Sequence, residues 1–427
     1  METRTTTVTT VTGFLQAISK LEVVGDRTRF FRGHSNAEKY LLEPGIYREI
    51  KEEKSLINHE DKIYRDVITQ APQDFEGKNT LESLALMQHY GVPTRILDIT
   101  QNALVGLYFA CNSNGGKQGS HGEVVVLDIP DESVCHYNSD RITVLANLAK
   151  GNKLSYSDGY FLNLVKIEEE LDSMSILNKP NYRELSESDV KNIIQDDIEK
   201  MKLMVEIKDN QKYINWLNEN NIKIENTISL FLSEITNDCF LVKKEFDNFL
   251  NIIEKLYKES FIEERYYKIG LFLLKKDVIF RLKLKISSCI KSEIELINEV
   301  YFGKFLHNVK EDKPYFLPII DPRDLHSIYA VKPKLDNPRI IRQQGAFLVY
   351  GIVKVDIYED VEVRCLTVEP NWFVKTKENE ELKILVDKNA KKDILKELEI
   401  LGISQSTLFP EIDKVADSVK KKYEGIL

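Results

Sequence analysis

Leu86 to Cys111 reads LMQHYGVPTRILDITQNALVGLYFAC, and this stretch decides where the chain passes from helix to strand and back. His89, Tyr90, Arg95, Asp98, Thr100 and Asn102 are packed between two apolar runs. Polar groups enclosed in this way must be satisfied by one another, by backbone or by a ligand. Upstream, Asn79 with Glu82 three residues on predicts a capping box, and Gly91 followed by Pro93 predicts the helix end. VPTRILD should then be extended, because the residue before Pro93 is pushed out of helical space. Thr100 is expected to cap the next helix, NALVGLYFAC, which is apolar nearly all round and therefore belongs in a core. In an extended segment Arg95 and Asp98 point to opposite faces, so each needs its own partner.

Working outward, Thr12 is expected to cap a short helix starting at Gly13, with Phe14, Ile18 and Leu21 on one side. TRFFRGHS, Thr28 to Ser35, is β-prone, and Gly33 implies a strand whose backbone approaches something closely. The continuous apolar run in GEVVVLDIP predicts a strand. Composition changes after about Gly159, where apolar residues recur at helical spacing, as at Phe249, Ile252, Ile253 and Leu256. KKDVIFRLKLKI, Lys275 to Ile286, fits either helix or strand. Strand signals return in FLVYGIVKV, RCLTVE and KILV, and DILKELEILG reads as a final helix. The chain is thus expected to be α+β: a mixed β-sheet core with packed helices, formed by residues 1–159 and 310–427, plus a mostly α-helical insertion, 160–309.

The chain has 427 residues, 42% hydrophobic and 30% charged, which fits more than one globular domain. A formal charge of -9 argues against generic attraction to nucleic-acid backbones. The scattered cysteines show no CxxC spacing, so neither a disulfide framework nor a structural zinc site is expected. The N-terminus lacks the apolar core of a secretory signal, and no run has the length of a membrane span. A cytoplasmic, non-membrane protein is expected. Phosphate-binding loops, HExxH and GxSxG elbows are absent, and no metal is expected.

Candidate chemistry falls on four short islands. Arg32, Gly33 and His34 at a strand end suit a phosphate or carboxylate, since the guanidinium forks and Gly33 leaves its backbone open. The alternative is an Arg32 paired with a structural carboxylate such as Asp98. The second island is His89 to Thr100, whose density of His, Tyr, Arg and Asp exceeds what a helix cap requires. NPRIIRQQGAF supplies Gln343 and Gln344, whose amides could orient a sugar through donor and acceptor together. SDRITVLANLAK, Ser139 to Lys150, reads as structural, with Arg141 and Asn147 flanking an apolar core.

These residues carry a resemblance. FRGH at Phe31 to His34, QHYGVPTRILDIT at Gln88 to Thr100, VKPKLDNPRIIRQQGAF and the terminal ILKELEILGISQSTLFPEI resemble the FRG domain family, in the expected order. The order is also similar, more loosely, to ADP-ribosyltransferase-like folds. That likeness implies NAD as cofactor and a bacterial toxin or phage-defence effector acting on a macromolecular target. Arg32, Asp98 and Gln344 would be catalytic. Gly33, His34, His89, Tyr90, Thr94, Arg95, Thr100 and Gln343 would bind the cofactor. The departure is a late strand offering Gln where a carboxylate would stabilise an oxocarbenium-like transition state. The competing expectation is a non-catalytic nucleotide- or partner-binding module, with the insertion docking a target or an antitoxin-like partner.

Overall fold

The computed structural model describes residues 3–21, 25–48, 55–112, 119–151, 301–354, 363–376 and 380–424, with scattered positions between 165 and 299. The chain splits into two compact units, Met1–Leu154 with Phe302–Leu427, and Ser155–Tyr301. Most of the stretch expected to be a helical insertion lies outside the described residues, as does nearly all of KKDVIFRLKLKI. Within the second unit, residues 290–299 are helical.

The first unit begins with β1 (Thr3–Val8), α1 (Val11–Ile18) and β2 (Arg27–His34). Next come α2 (Glu60–Gln70), α3 (Pro72–Phe75), α4 (Thr80–His89), β3 (Ile96–Thr100) and α5 (Ala103–Cys111). They are followed by β4 (Gly122–Pro130), β5 (Val134–His136) and α6 (Asp140–Asn147). After the second unit the chain adds α7 (Gly303–Asp312), α8 (Pro322–Leu325), β6 (Ile328–Lys332), α9 (Pro338–Gln343) and β7 (Gly345–Tyr350). A two-stranded ribbon, β8 (Val353–Lys354) and β9 (Val363–Arg364), precedes β10 (Glu381–Val386). The helices α10 (Lys391–Ile400), α11 (Gln405–Leu408) and α12 (Ile412–Tyr423) close the unit.

Eight strands form one mixed sheet in the order β1-β10-β4-β2-β3-β7-β6-β5, so the fold is α+β. β1 pairs with β10 and β5 with β6 in parallel; the remaining pairs are antiparallel. The family of strands from the first part of the chain is therefore completed by strands from its last part. β4 has Val124 and Val126 in one apolar cluster and Val125 and Leu127 in another, which explains its unbroken run of apolar residues. The first cluster holds α1, α5 and α10 against the sheet through Phe14, Leu107 and Leu398. The second holds Phe30, Tyr47, Leu97, Leu348 and Trp372 on the other face.

Gly33 shows how tightly the first face is closed. A Cβ built there would stand 2.1 Å from the carbonyl oxygen of Gly106 and 2.5 Å from the amide of Ala110. Only glycine lets α5 lie this close to β2.

Helix starts were partly legible. Asn79 and Glu82 form the expected capping box. The first helix starts earlier than expected, because Thr10 rather than Thr12 accepts the Gly13 amide, at 3.0 Å. Asn102, not Thr100, caps α5, accepting the Leu104 amide at 2.9 Å. Arg141 and Asn147 are structural, as expected: Arg141 pairs with Asp324 at 3.3 Å, and the buried Asn147 amide donates to Asp312 at 2.8 Å.

Candidate functional site

β2 and β3 share a single register pair, Phe31 opposite Thr100. Beyond it β2 continues to pair with β4, and β3 with β7. The sheet thus consists of two strand groups joined at one point, and Arg32 lies beside that joint. Strand alternation puts Arg32 and His34 on the face of Phe30, away from α5. Arg32 is half-buried, and its Nη1 donates to the backbone carbonyl of Asp98, bridging the place where a ladder bond between strands is missing. Its Nε donates to His34 Nε2 at 3.1 Å.

A second guanidinium stands near the first. Arg48 donates through Nε and Nη2 to the Glu43 carbonyl, at 3.2 and 3.1 Å. Its Cζ is 5.9 Å from the centroid of Tyr40, with Lys39 Nζ 5.7 Å from the same ring. Among the described residues neither Arg32 nor Arg48 has a carboxylate within ion-pair distance. Burial pushes Arg32 down to about 10; Asp98 opposes this and Arg48 adds to it. The group still carries full charge at neutral pH. Burial also lowers the His34 pKa; Glu123 opposes that shift, and Arg32 and Arg48 reinforce it.

Asp98 is exposed on β3, and Gln88 Nε2 donates to its Oδ2 at 3.1 Å. His89, at the end of α4, faces Asn337, with Nδ1 to Nδ2 at 3.3 Å, and its carbonyl accepts from Arg339 at 3.2 Å. Its pKa is lowered by burial and by Arg339, against the pull of Asp98 and Glu411. Tyr90, 76% exposed, follows at the helix C-cap. Asp98 therefore lies within electrostatic reach of both Arg32 and His89.

Several expected ligand-binding residues are occupied by the fold itself. Arg95 is fully buried and forms a two-point ion pair with Glu60; its Nε to Oε1 distance is 2.9 Å, and Nη1 donates to the Tyr350 carbonyl at 3.0 Å. Thr94 is buried and donates to Gln88 at 2.8 Å. Thr100 donates to the Gln343 carbonyl at 2.7 Å and accepts from the Asn102 amide. Gln343 donates to the Leu408 carbonyl at 3.1 Å. The side of Gly33 expected to admit a ligand is filled by α5.

The paired glutamines were expected on the late strand. Instead Gln343 ends α9, and the exposed Gln344 is its left-handed cap, at φ 44 and ψ 46. The turn residues Gln101 and Gln344 are tied together by a backbone bond of 3.1 Å. A buried Arg32–Asp98 ion pair, the structural alternative, is also not formed: Arg32 meets the Asp98 backbone, and the carboxylate is exposed.

Residues 27–118 match the family model described as the FRG domain. The chain carries an FRG domain. No curated protein and no solved structure matches the chain. The FRG segment includes Arg32, His34, Tyr40, Arg48, His89 and Asp98, whereas Glu123, Gln344 and Arg339 lie outside it. Tyr40, Arg48 and Lys39 were not found from the sequence. Their signal was the pair of basic–aromatic neighbours Lys39-Tyr40 and Tyr47-Arg48, soon after the FRGH motif. Among the described residues no group of His, Cys, Asp and Glu is arranged to hold a metal, and no helix is long and apolar enough to cross a membrane.

Proposed function

We propose that the FRG domain binds a phosphate-bearing nucleotide at Arg32 and Arg48, with NAD the leading candidate. The observation carrying this reading is the pair of guanidinium groups that no carboxylate neutralises among the described residues. Half-buried arginines with unused donors suit phosphate oxygens in both charge and planar geometry. Tyr40, flanked by cations, offers an aromatic face beside that charge.

ADP-ribosyl transfer to a macromolecular target is the chemistry this site would carry. The bond between nicotinamide and ribose would break, nicotinamide would leave, and the ribose carbon would join a nucleophile on the target. Asp98, exposed and within electrostatic reach of Arg32, would be the carboxylate that stabilises the positive charge developing on the sugar. One observation favours binding without turnover. The late strand β7, GAFLVY, has no carboxylate, and Phe347 stands opposite Asp98.

Calorimetric titration of the full chain with NAD, followed by incubation with labelled NAD and cell extract, tests both readings. Saturable binding that disappears in Arg32→Ala is expected, with label transfer lost in Asp98→Asn while binding remains. Binding without any label transfer selects the non-catalytic module; absence of NAD binding by the wild type overturns the NAD assignment.

A further inference from the structure

Arg32 has a long, flexible stem, so an anion site built on it needs something to aim its guanidinium. His34 lies two residues on and on the same face of β2. It is 3% exposed, and its Nε2 receives Arg32 Nε–H at 3.1 Å. An arginine nitrogen is a donor only, so His34 Nε2 must be unprotonated to receive it. A neutral ring in that state carries its proton on Nδ1. Nδ1 is buried without a hydrogen-bond partner, and the nearest charge is Glu123 Oε2, 3.8 Å away.

Glu123 occupies the register position opposite His34 on β4. Its other oxygen lies 3.6 Å from Lys383 Nζ on β10, which holds the carboxylate in place. The Tyr40 ring, 6.4 Å from the imidazole between centroids, and Arg48 complete the surroundings. With one nitrogen engaged, the other facing Glu123 and the ring buried, His34 has no free edge for a ligand.

We propose that His34 is a positioning residue for Arg32, held by Glu123 as the Nδ1–H tautomer, and that it does not itself touch the bound anion. Arg32 Nη1 is tied to the Asp98 carbonyl and Nε to His34, which leaves Nη2 as the donor without a hydrogen-bond partner among the described residues. The proposal rests on the reading of Arg32 as the anion-binding group. It reassigns His34, the last residue of FRGH, from ligand to support.

The test uses the full chain with inorganic pyrophosphate and NAD as probes, and nitrogen-detected NMR of labelled histidines. The His34 signal is expected to show a protonated Nδ1 and a bare Nε2 at neutral pH. The opposite tautomer, or an imidazolium, overturns the proposal whether or not either probe binds. A wild type that binds neither probe removes the proposed function alone, because the tautomer signal still decides this inference. Where binding is seen, His34→Gln keeps an acceptor for Arg32 and should stay close to wild type. His34→Leu should weaken binding by about tenfold, the weight of one hydrogen bond to a charged group. Equal loss in both variants would mean that His34 meets the ligand directly, and no loss in His34→Leu would mean that it does not aim Arg32. If His34→Leu does not fold, the Gln variant and the tautomer signal still separate these outcomes.

Discussion

Arg95 and Arg32 make an instructive pair. Arg95 directly precedes β3 and Arg32 sits on the neighbouring β2, yet their surroundings differ in kind. Arg95 has a carboxylate, a backbone carbonyl and no solvent exposure. Burial works against its charge, and Glu60 and Tyr47 together more than offset that, holding the pKa above the ordinary guanidinium value. Arg32 has an imidazole, a backbone carbonyl and an open side. Burial lowers its pKa, and Arg48, a second cation, lowers it further. The first arrangement leaves nothing for a ligand to supply; the second leaves a charge unanswered. The same residue type acts as a joint in one place and a receptor in the other.

Removing the carboxylate should break the comparison most sharply. Glu60→Ala leaves the Arg95 charge buried and unpaired, and should destabilise the chain by about 3–5 kcal/mol in denaturant unfolding. A smaller loss would mean that water reaches Arg95. Acid should separate the two regions next. The imidazoles of His34 and His89 are both held below the usual value of about 6.5 in the folded chain. Below that pH the unfolded chain takes up protons that the folded one refuses, so stability falls as pH drops. Each imidazole contributes a slope of up to about 1.4 kcal/mol per pH unit, and His34→Gln should flatten the melting-temperature profile. A profile unchanged in that variant would show that His34 titrates normally. The smallest effect is expected for Arg32→Ala, about 1 kcal/mol in the same unfolding experiment, since two hydrogen bonds are lost without stranding an ion-paired carboxylate. A loss comparable to that of Glu60→Ala would make Arg32 a joint as well.

The sequence revealed the elements better than their partners. The Asn79 box, the buried α5 and the apolar β4 follow from local pattern, and all are present. β1 was missed because TRTTTV lacks an apolar alternation; it is a strand because β10 pairs with it. Thr100 was a reasonable cap, but its hydroxyl is taken by Gln343, a residue 243 positions away. Arg32 was expected to be catalytic and Arg95 to bind the cofactor, and for the same reason local pattern alone could not show which of them has a structural partner. What separates them is Glu60, 35 residues before Arg95 and silent in any local motif. Gln343 and Gln344 were misplaced because PRIIRQ forms a short helix whose inward residue is Ile340, which leaves the amides at its end.

The strand order also bears on what can be inherited or expressed as a piece. The family match covers β2 and β3, but β2 needs β4, and β3 needs β7, to complete their ladders. A fragment cut at 27 and 118 would expose both long flanks of its strands, the condition under which chains join edge to edge and aggregate. The matched segment is therefore smaller than the set of strands that completes its ladders.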